Sequence, residues 1–386
     1  MLVLLVILIW ICYHIFMLNS EEIYITKPFL PPIEDFTEGL QKIWDSRILS
    51  NQGPNNIKLE SKLCDYLGVP YVSLFSNCTI ALMAAMRALE LTGEVITTPF
   101  SFPATVSSIV WNNLDPCFVD IDPDYFNINT DLIENKINDK TSAILAVHAY
   151  GFSNSLDSIS RIANKYNLKV IYDGAASFGS VFKDRSLLSY GDISVVSFHA
   201  TKIFNTFEGG AVISHNLDIK KKIDSIRNFG FNHKNTLENV GLNGKMSELN
   251  SLVGLLQLKY FEKVLSARKL INIRYNDLLS QIKYIRIPKI LLDKSYNNTY
   301  YPILLTDDSP ISRDFLIDKL RDEGINLKKY YDPLLNDHDF YGNYDENSLF
   351  PVANDISKRM ICLPIYPELT NNKQMFIINQ LKLAFS

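Results

Sequence analysis

A chain of 386 residues with 47% hydrophobic and 21% charged side chains has material for a large core and for two or three domains. Its formal net charge is −4, with lysines and acids mixed along the chain, which argues against the basic face a nucleic-acid binder needs. The five cysteines (Cys12, Cys64, Cys78, Cys117, Cys362) and six histidines never fall at metal or redox spacings, so reduced thiols in a cytoplasmic protein without a bound metal are expected.

The chain opens with MLVLLVILIWICYHIFML, residues 1–18, an apolar run about long enough for a membrane span. It lacks a basic n-region and a small-residue cleavage site, so it is a poor secretory signal. Two readings stand: a membrane anchor, or a chain whose true start is Met17. From about residue 58 to 215, apolar runs alternate with helical patterns. YVSLFS, EVITTPF, DPCFVDI, TSAILAVHAY, LKVIYDGA, DISVVSF and GAVISH read as strands; TIALMAAMRALEL and SLDSISRIANKYN read as helices. Near-continuous apolar strands bounded by helices predict a largely parallel α/β sheet covered on both faces. From MSELNSLVGL onward the periodicity is helical, followed by the short strands IRIPKI and TYYPILL and the helix SRDFLIDKLRDEG. The expected organisation is a leader (1–18), a large α/β domain (19–245), and a linking helix with a smaller α+β domain (246–386).

Ligands of open α/β sheets sit at the carboxyl ends of the strands, and five stretches place polar residues there. YVSLFSNCTIAL sets Asn77, Cys78 and Thr79 at a strand-to-helix junction, where helix amides can cradle a phosphate. SFPAT carries Phe102 in a turn, able to stack on a flat ring. LKVIYDGAASFG ends a strand on Asp173, an acid beside an apolar sheet that needs a cationic partner to stay ionised. SFHATK brings Ser197 to a strand end and Lys202 five residues on, and GLNGKMSE holds Asn243 and Lys245 in a Gly-flanked loop. Each has a plainer reading: Thr79 caps its helix, Phe102 packs in the core, Asp173 caps a helix, Lys202 snorkels to water. As a set they match the requirements of pyridoxal 5'-phosphate (PLP): a phosphate site, a stacking ring, an acid for the pyridinium nitrogen and a lysine for the Schiff base.

From about residue 23 to its end the chain resembles the DegT/StrS family of PLP-dependent sugar aminotransferases. KPFLPPIEDF, IWDSRILSNQGP, GEVITTPFSFPAT, VHAYG, SFHATKIFNTFEGGA and GLNGKMSE carry the likeness. Within the family it looks nearest to the members that aminate dTDP-4-keto-6-deoxy-glucose in building O-antigen or other surface glycans. The resemblance implies fold type I, the aspartate-aminotransferase type. It makes Lys202 the Schiff-base lysine and proton-transfer base, Asp173 the partner of the pyridinium nitrogen, and Phe102 the stacking ring. Cys78, Thr79 and Ser197 would bind the phosphate. Asn243 would reach the phosphate in a neighbouring subunit, which implies a homodimer with shared sites. L-Glutamate would be the amino donor, and Tyr330, Tyr331 and His338 are candidates for lining the sugar or nucleotide pocket. One departure stands out: Ala176 occupies the place, three residues after Asp173, where the family carries His or Gln near the phenolic oxygen. That departure and the apolar leader leave a second reading, a membrane-tethered homologue without catalytic activity. Intact Lys202, Asp173 and Asn243 speak for the enzyme.

Overall fold

The computed structural model describes residues 22–153, 155–341 and 349–386. The apolar leader, with Cys12 and Met17, lies outside them. Among the described residues no helix is long and apolar enough to cross a membrane.

Helices α1 (Ile33–Ser46) and α2 (Pro54–Leu67) precede a sheet of seven strands: β1 (Tyr71–Phe75), β2 (Glu94–Thr97), β3 (Asp115–Phe118), β4 (Thr141–Val147), β5 (Lys169–Asp173), β8 (Ile193–Ser197) and β9 (Gly210–Ser214). The pairs β6 (Val181–Phe182) and β7 (Arg185–Ser186) form a small separate hairpin. The sheet order is β1-β9-β8-β5-β4-β2-β3. The pairs from β8 to β3 are parallel, and β9 runs antiparallel to both β8 and β1. Helices α3 (Cys78–Ala88), α4 (Pro103–Trp111) and α5 (Leu156–Tyr166) link strands of this sheet, and α6 (Leu217–Arg227) follows β9.

Apolar side chains are needed on both strand faces because both are covered. Along β4, Leu145 joins Val95, Ile171 and Val195 in one core cluster with α3 residues. Its neighbours Ile144 and Ala146 turn to the opposite face, against Leu156, Ile159 and Ile162 of α5. All seven strands expected from the sequence are present. The reversal of β9 matters most for function. Antiparallel neighbours need no crossover, so residues 198–209 fold back at the same sheet end where β5 and β8 finish, and Lys202 goes with them.

Helix α7 (Glu248–Leu279) is 32 residues long, about 48 Å of continuous helix. Phe261 and Val264 belong to a core cluster of the large sheet, whereas Ile271, Tyr275 and Leu279 belong to a cluster built on a second, three-stranded sheet. That sheet is antiparallel: β10 (Ile285–Arg286), β11 (Tyr301–Leu305) and β12 (Met360–Leu363). Helices α8 (Arg313–Asp322), α9 (Pro351–Arg359) and α10 (Asn371–Ala384) contribute to its core. The opening segment lies with this sheet as well, through a bridge between Ile23 and Ile325. Strand β12 and helices α1, α2, α4, α6, α9 and α10 were not individually distinguished in the sequence.

Strand β1 is a sheet edge, and an unpaired edge is an open template for another strand. Charged side chains occupy it instead. Glu60 of α2 accepts the Leu74 N–H at 2.9 Å, Arg227 donates to the Leu74 carbonyl at 2.7 Å, and Lys220 donates to the Val72 carbonyl at 2.8 Å. Arg227 also binds Glu60 at 2.6 Å while itself only 1% exposed. Burial pushes the Glu60 carboxyl up, but Arg227 and Lys220 outweigh it and hold it below the usual range. Arg227→Met removes one cation from a buried cluster and should destabilise the protein by about 3 kcal/mol. Replacing Glu60 by Gln in the same chain should recover part of that loss, as chemical denaturation of both variants will measure.

Candidate active site

The cavity of interest, about 390 Å³, opens where β1, β5 and β8 end. Asn77, in an extended conformation, caps α3: its Oδ1 accepts the Ile80 N–H at 2.9 Å. The cap is therefore Asn77 and not Thr79, because the chain turns into the helix two residues earlier than the hydroxyl suggested. Cys78 and Thr79 are left in the first turn, lining the cavity with amides that have no intrahelical partner. The helix start sits directly on β9. A Cβ on Gly210 would lie 2.8 Å from the Cys78 nitrogen, so only glycine allows this approach. Ser197, paired with Gly210, lines the same corner.

Asp173 ends β5, 5% exposed. Its Oδ2 accepts from Thr105 Oγ1 at 2.6 Å and its Oδ1 from the Ala175 N–H at 3.1 Å, while Thr105 is bonded in turn to Ser101 at 2.7 Å. Burial pushes the carboxyl above its ordinary value, and Thr105, Ala175 and Lys202 pull it back only in part. Lys202 lines the cavity and donates to the Tyr300 hydroxyl at 3.1 Å. Burial lowers its basicity, but the Tyr300 bond with Cys78 and Asp173 outweighs this and leaves the amine above its usual value. The Cys78 thiol is pushed well up by burial, with Asp173 adding to it, so it stays protonated and brings no negative charge to the helix start. His148 also lines the cavity. Its ring stacks on Tyr172 at 4.7 Å, and burial pulls it down to about 3, so it stays neutral.

Phe102 stands at the start of α4, 60% exposed and lining the cavity, so it is a free ring rather than a core residue. Tyr330 and Tyr331 line the opposite wall, Tyr331 stacked on Tyr150 at 6.0 Å. His338 does not line the cavity; it packs on Phe340 and Tyr341. Ala176 is on the cavity wall, whereas the neighbouring Ser177 hydroxyl is buried away from it. Asn243 is exposed and does not line this cavity. Its loop lies close by, because the Gly244 carbonyl accepts the Ser76 N–H at 2.8 Å. Thr105 and Tyr300 were missed in the sequence. Thr105 could have been found from its place one helical turn after Phe102. Tyr300, separated from Lys202 by 98 residues, had no local signal.

These residues fit PLP. The glycine-dependent approach of a helix start to β9 leaves amide donors for a phosphate, and a buried carboxylate lacking a full counter-charge suits a protonated ring nitrogen. Lys202 is the amine in the same cavity.

Residues 32–382 match the DegT/DnrJ/EryC1/StrS aminotransferase family. The chain is 44% identical to the dTDP-4-amino-4,6-dideoxy-D-glucose transaminase of Shigella dysenteriae, over 94% of this chain and 99% of that protein. Among solved structures, DesI in the presence of its TDP-sugar product superposes with a TM-score of 0.90 at 28% identity, covering 95% of this chain and 93% of DesI. NtdA of Bacillus subtilis with bound cofactor PMP superposes with a TM-score of 0.85 at 28% identity, covering 95% of this chain and 86% of NtdA. The chain belongs to the DegT/DnrJ/EryC1/StrS aminotransferase family, and it is a PLP-dependent aminotransferase of fold type I.

Proposed function

We propose that the enzyme transfers the amino group of L-glutamate to the 4-keto carbon of dTDP-4-keto-6-deoxy-glucose, for O-antigen or another surface glycan. The observation that carries this reading is the near-full-length likeness to the Shigella transaminase. In it, Lys202 anchors the cofactor, and its Nζ then takes and returns the proton at the substrate carbon. The bound cofactor supplies an electron sink for that carbon. Asp173, fixed by Thr105, holds a proton on the ring nitrogen. The Cys78 and Thr79 amides and the Ser197 hydroxyl take the phosphate, and Phe102 covers a ring face. Tyr330 and Tyr331 form the wall for the sugar. Asn243, outside its own cavity, serves the phosphate of a neighbouring subunit, which makes the active unit a homodimer. The described cysteines are all free thiols, which supports a reducing, cytoplasmic setting.

Visible absorption tests the assignment. The PLP-loaded protein should show a band that L-glutamate converts to the aminated cofactor's spectrum, and dTDP-4-keto-6-deoxy-glucose should restore it better than a 3-keto isomer. Lys202→Ala should lose the glutamate response and about 10²- to 10⁴-fold or more in turnover. A 3-keto sugar restoring the band faster would overturn the 4-keto assignment.

Asp173 gives a pH-dependent readout. Its folded value is raised, so the cofactor-free protein loses stability as pH rises from the ordinary carboxylate range through the folded value. Asp173→Asn should therefore melt higher than the parent without cofactor at neutral pH, with the gap closing in acid. With PLP the order should reverse, as differential scanning calorimetry will show. For the homodimer, mixing Lys202→Ala chains with Asn243→Ala chains should regain part of the activity that each lacks alone; no recovery would place Asn243 outside the shared site.

A further inference from the structure

Tyr300 is held more firmly than any of the roles above requires. Its backbone N–H donates to the Tyr296 hydroxyl at 2.9 Å, and its carbonyl accepts from the same hydroxyl at 2.8 Å. Tyr296 is itself only 3% exposed. The Tyr300 ring is wedged edge-on between Tyr330 and Tyr150, with centroids at 5.3 and 6.0 Å. A ring so confined leaves its hydroxyl little freedom, and that hydroxyl meets the Lys202 amine at 3.1 Å inside the cavity.

In this pair the ammonium donates and the tyrosine oxygen accepts, so the tyrosine keeps its own proton for a second partner. On PLP the phenolic oxygen is ortho to the carbon that bonds the lysine nitrogen, which places the two atoms within hydrogen-bond reach of each other. A group fixed on the lysine nitrogen is therefore close to the phenolic oxygen too. Ala176, on the same wall, brings no polar side-chain atom. His148 also lines the cavity with both ring nitrogens unpartnered among the described residues, but only Tyr300 touches the Lys202 amine.

We propose that Tyr300 donates its hydroxyl proton to the phenolic oxygen of bound PLP, so that one side chain positions both the lysine and the ring. The inference rests on Lys202 as the anchor. Borohydride reduction of the loaded protein and peptide mapping check that first, and a tag on another lysine would remove the underlying assignment. With the tag on Lys202, the decisive measurement is the dissociation constant of PLP and of 3-deoxypyridoxal phosphate, for the parent and for Tyr300→Phe. The variant should lose about fivefold more affinity for PLP than for the deoxy analogue. An equal loss for both ligands, or no loss for either, would overturn the proposal. Should Tyr300→Phe not fold, the parent alone decides: it should bind PLP at least about fivefold tighter than the deoxy analogue, and equal affinities would refute the hydrogen bond.

Discussion

A carboxylate at the end of a central strand, shielded from water by a helix on one side and an aromatic wall on the other, sets the terms for the rest of this molecule. Asp173 cannot be left unpaired there. Thr105 and the Ala175 amide satisfy two of its acceptor positions, but neither brings a positive charge. Lys202 is the cation that acts on it, and its pull does not restore an ordinary carboxyl. The free enzyme therefore keeps an acid in a disfavoured state, which a cationic ring bound there would relieve. In the proposed assignment, the same burial that costs the free protein stability favours a protonated ring in the cavity.

The sheet topology decides what else meets that acid. A single antiparallel strand, β9, sits between β1 and β8, and its start lies beneath the first turn of α3. Gly210 is the point of contact, and no other residue type would leave room for the Cys78 backbone. The helix start thus comes to rest beside Ser197, with its amides free for an anion. Charged groups on the outer edge of β1 hold this arrangement from the other side: Glu60, Arg227 and Lys220 replace a neighbouring strand with a buried ion cluster. Removing one partner of such a cluster is costly because it leaves a buried charge unpaired.

The second sheet contributes through its aromatic residues. Tyr300 immediately precedes β11, and Tyr330 and Tyr331 lie in the loop that follows α8. Tyr300 meets Tyr150, which follows β4, edge-on, Tyr331 stacks on Tyr150, and Tyr330 packs edge-on against Tyr300. Tyr150 further donates a hydrogen bond to the Tyr330 carbonyl. Helix α7 runs from one core into the other and keeps the two in register, so the cavity has a wall from each.

Much of this was legible in the residue order. The seven strands announced themselves as apolar runs because both sheet faces are covered, and the strand-end residues Asp173, Ser197 and Lys202 followed from that periodicity. The long ordered motifs carried the family as well. The helix cap was read two residues too late, as Thr79 rather than Asn77, because both residue types can cap and only the backbone shows where the helix begins. What the sequence could not disclose were contacts between distant stretches: the Arg227–Glu60 pair, the Thr105–Asp173 bond and the Tyr300–Lys202 bond. Each joins residues from separate elements whose approach depends on strand order, and the two that involve Arg227 and Lys202 depend also on the reversal of β9. Hydrophobic periodicity determines which face of an element is buried, whereas the pairing of strands determines which polar side chains share one cavity.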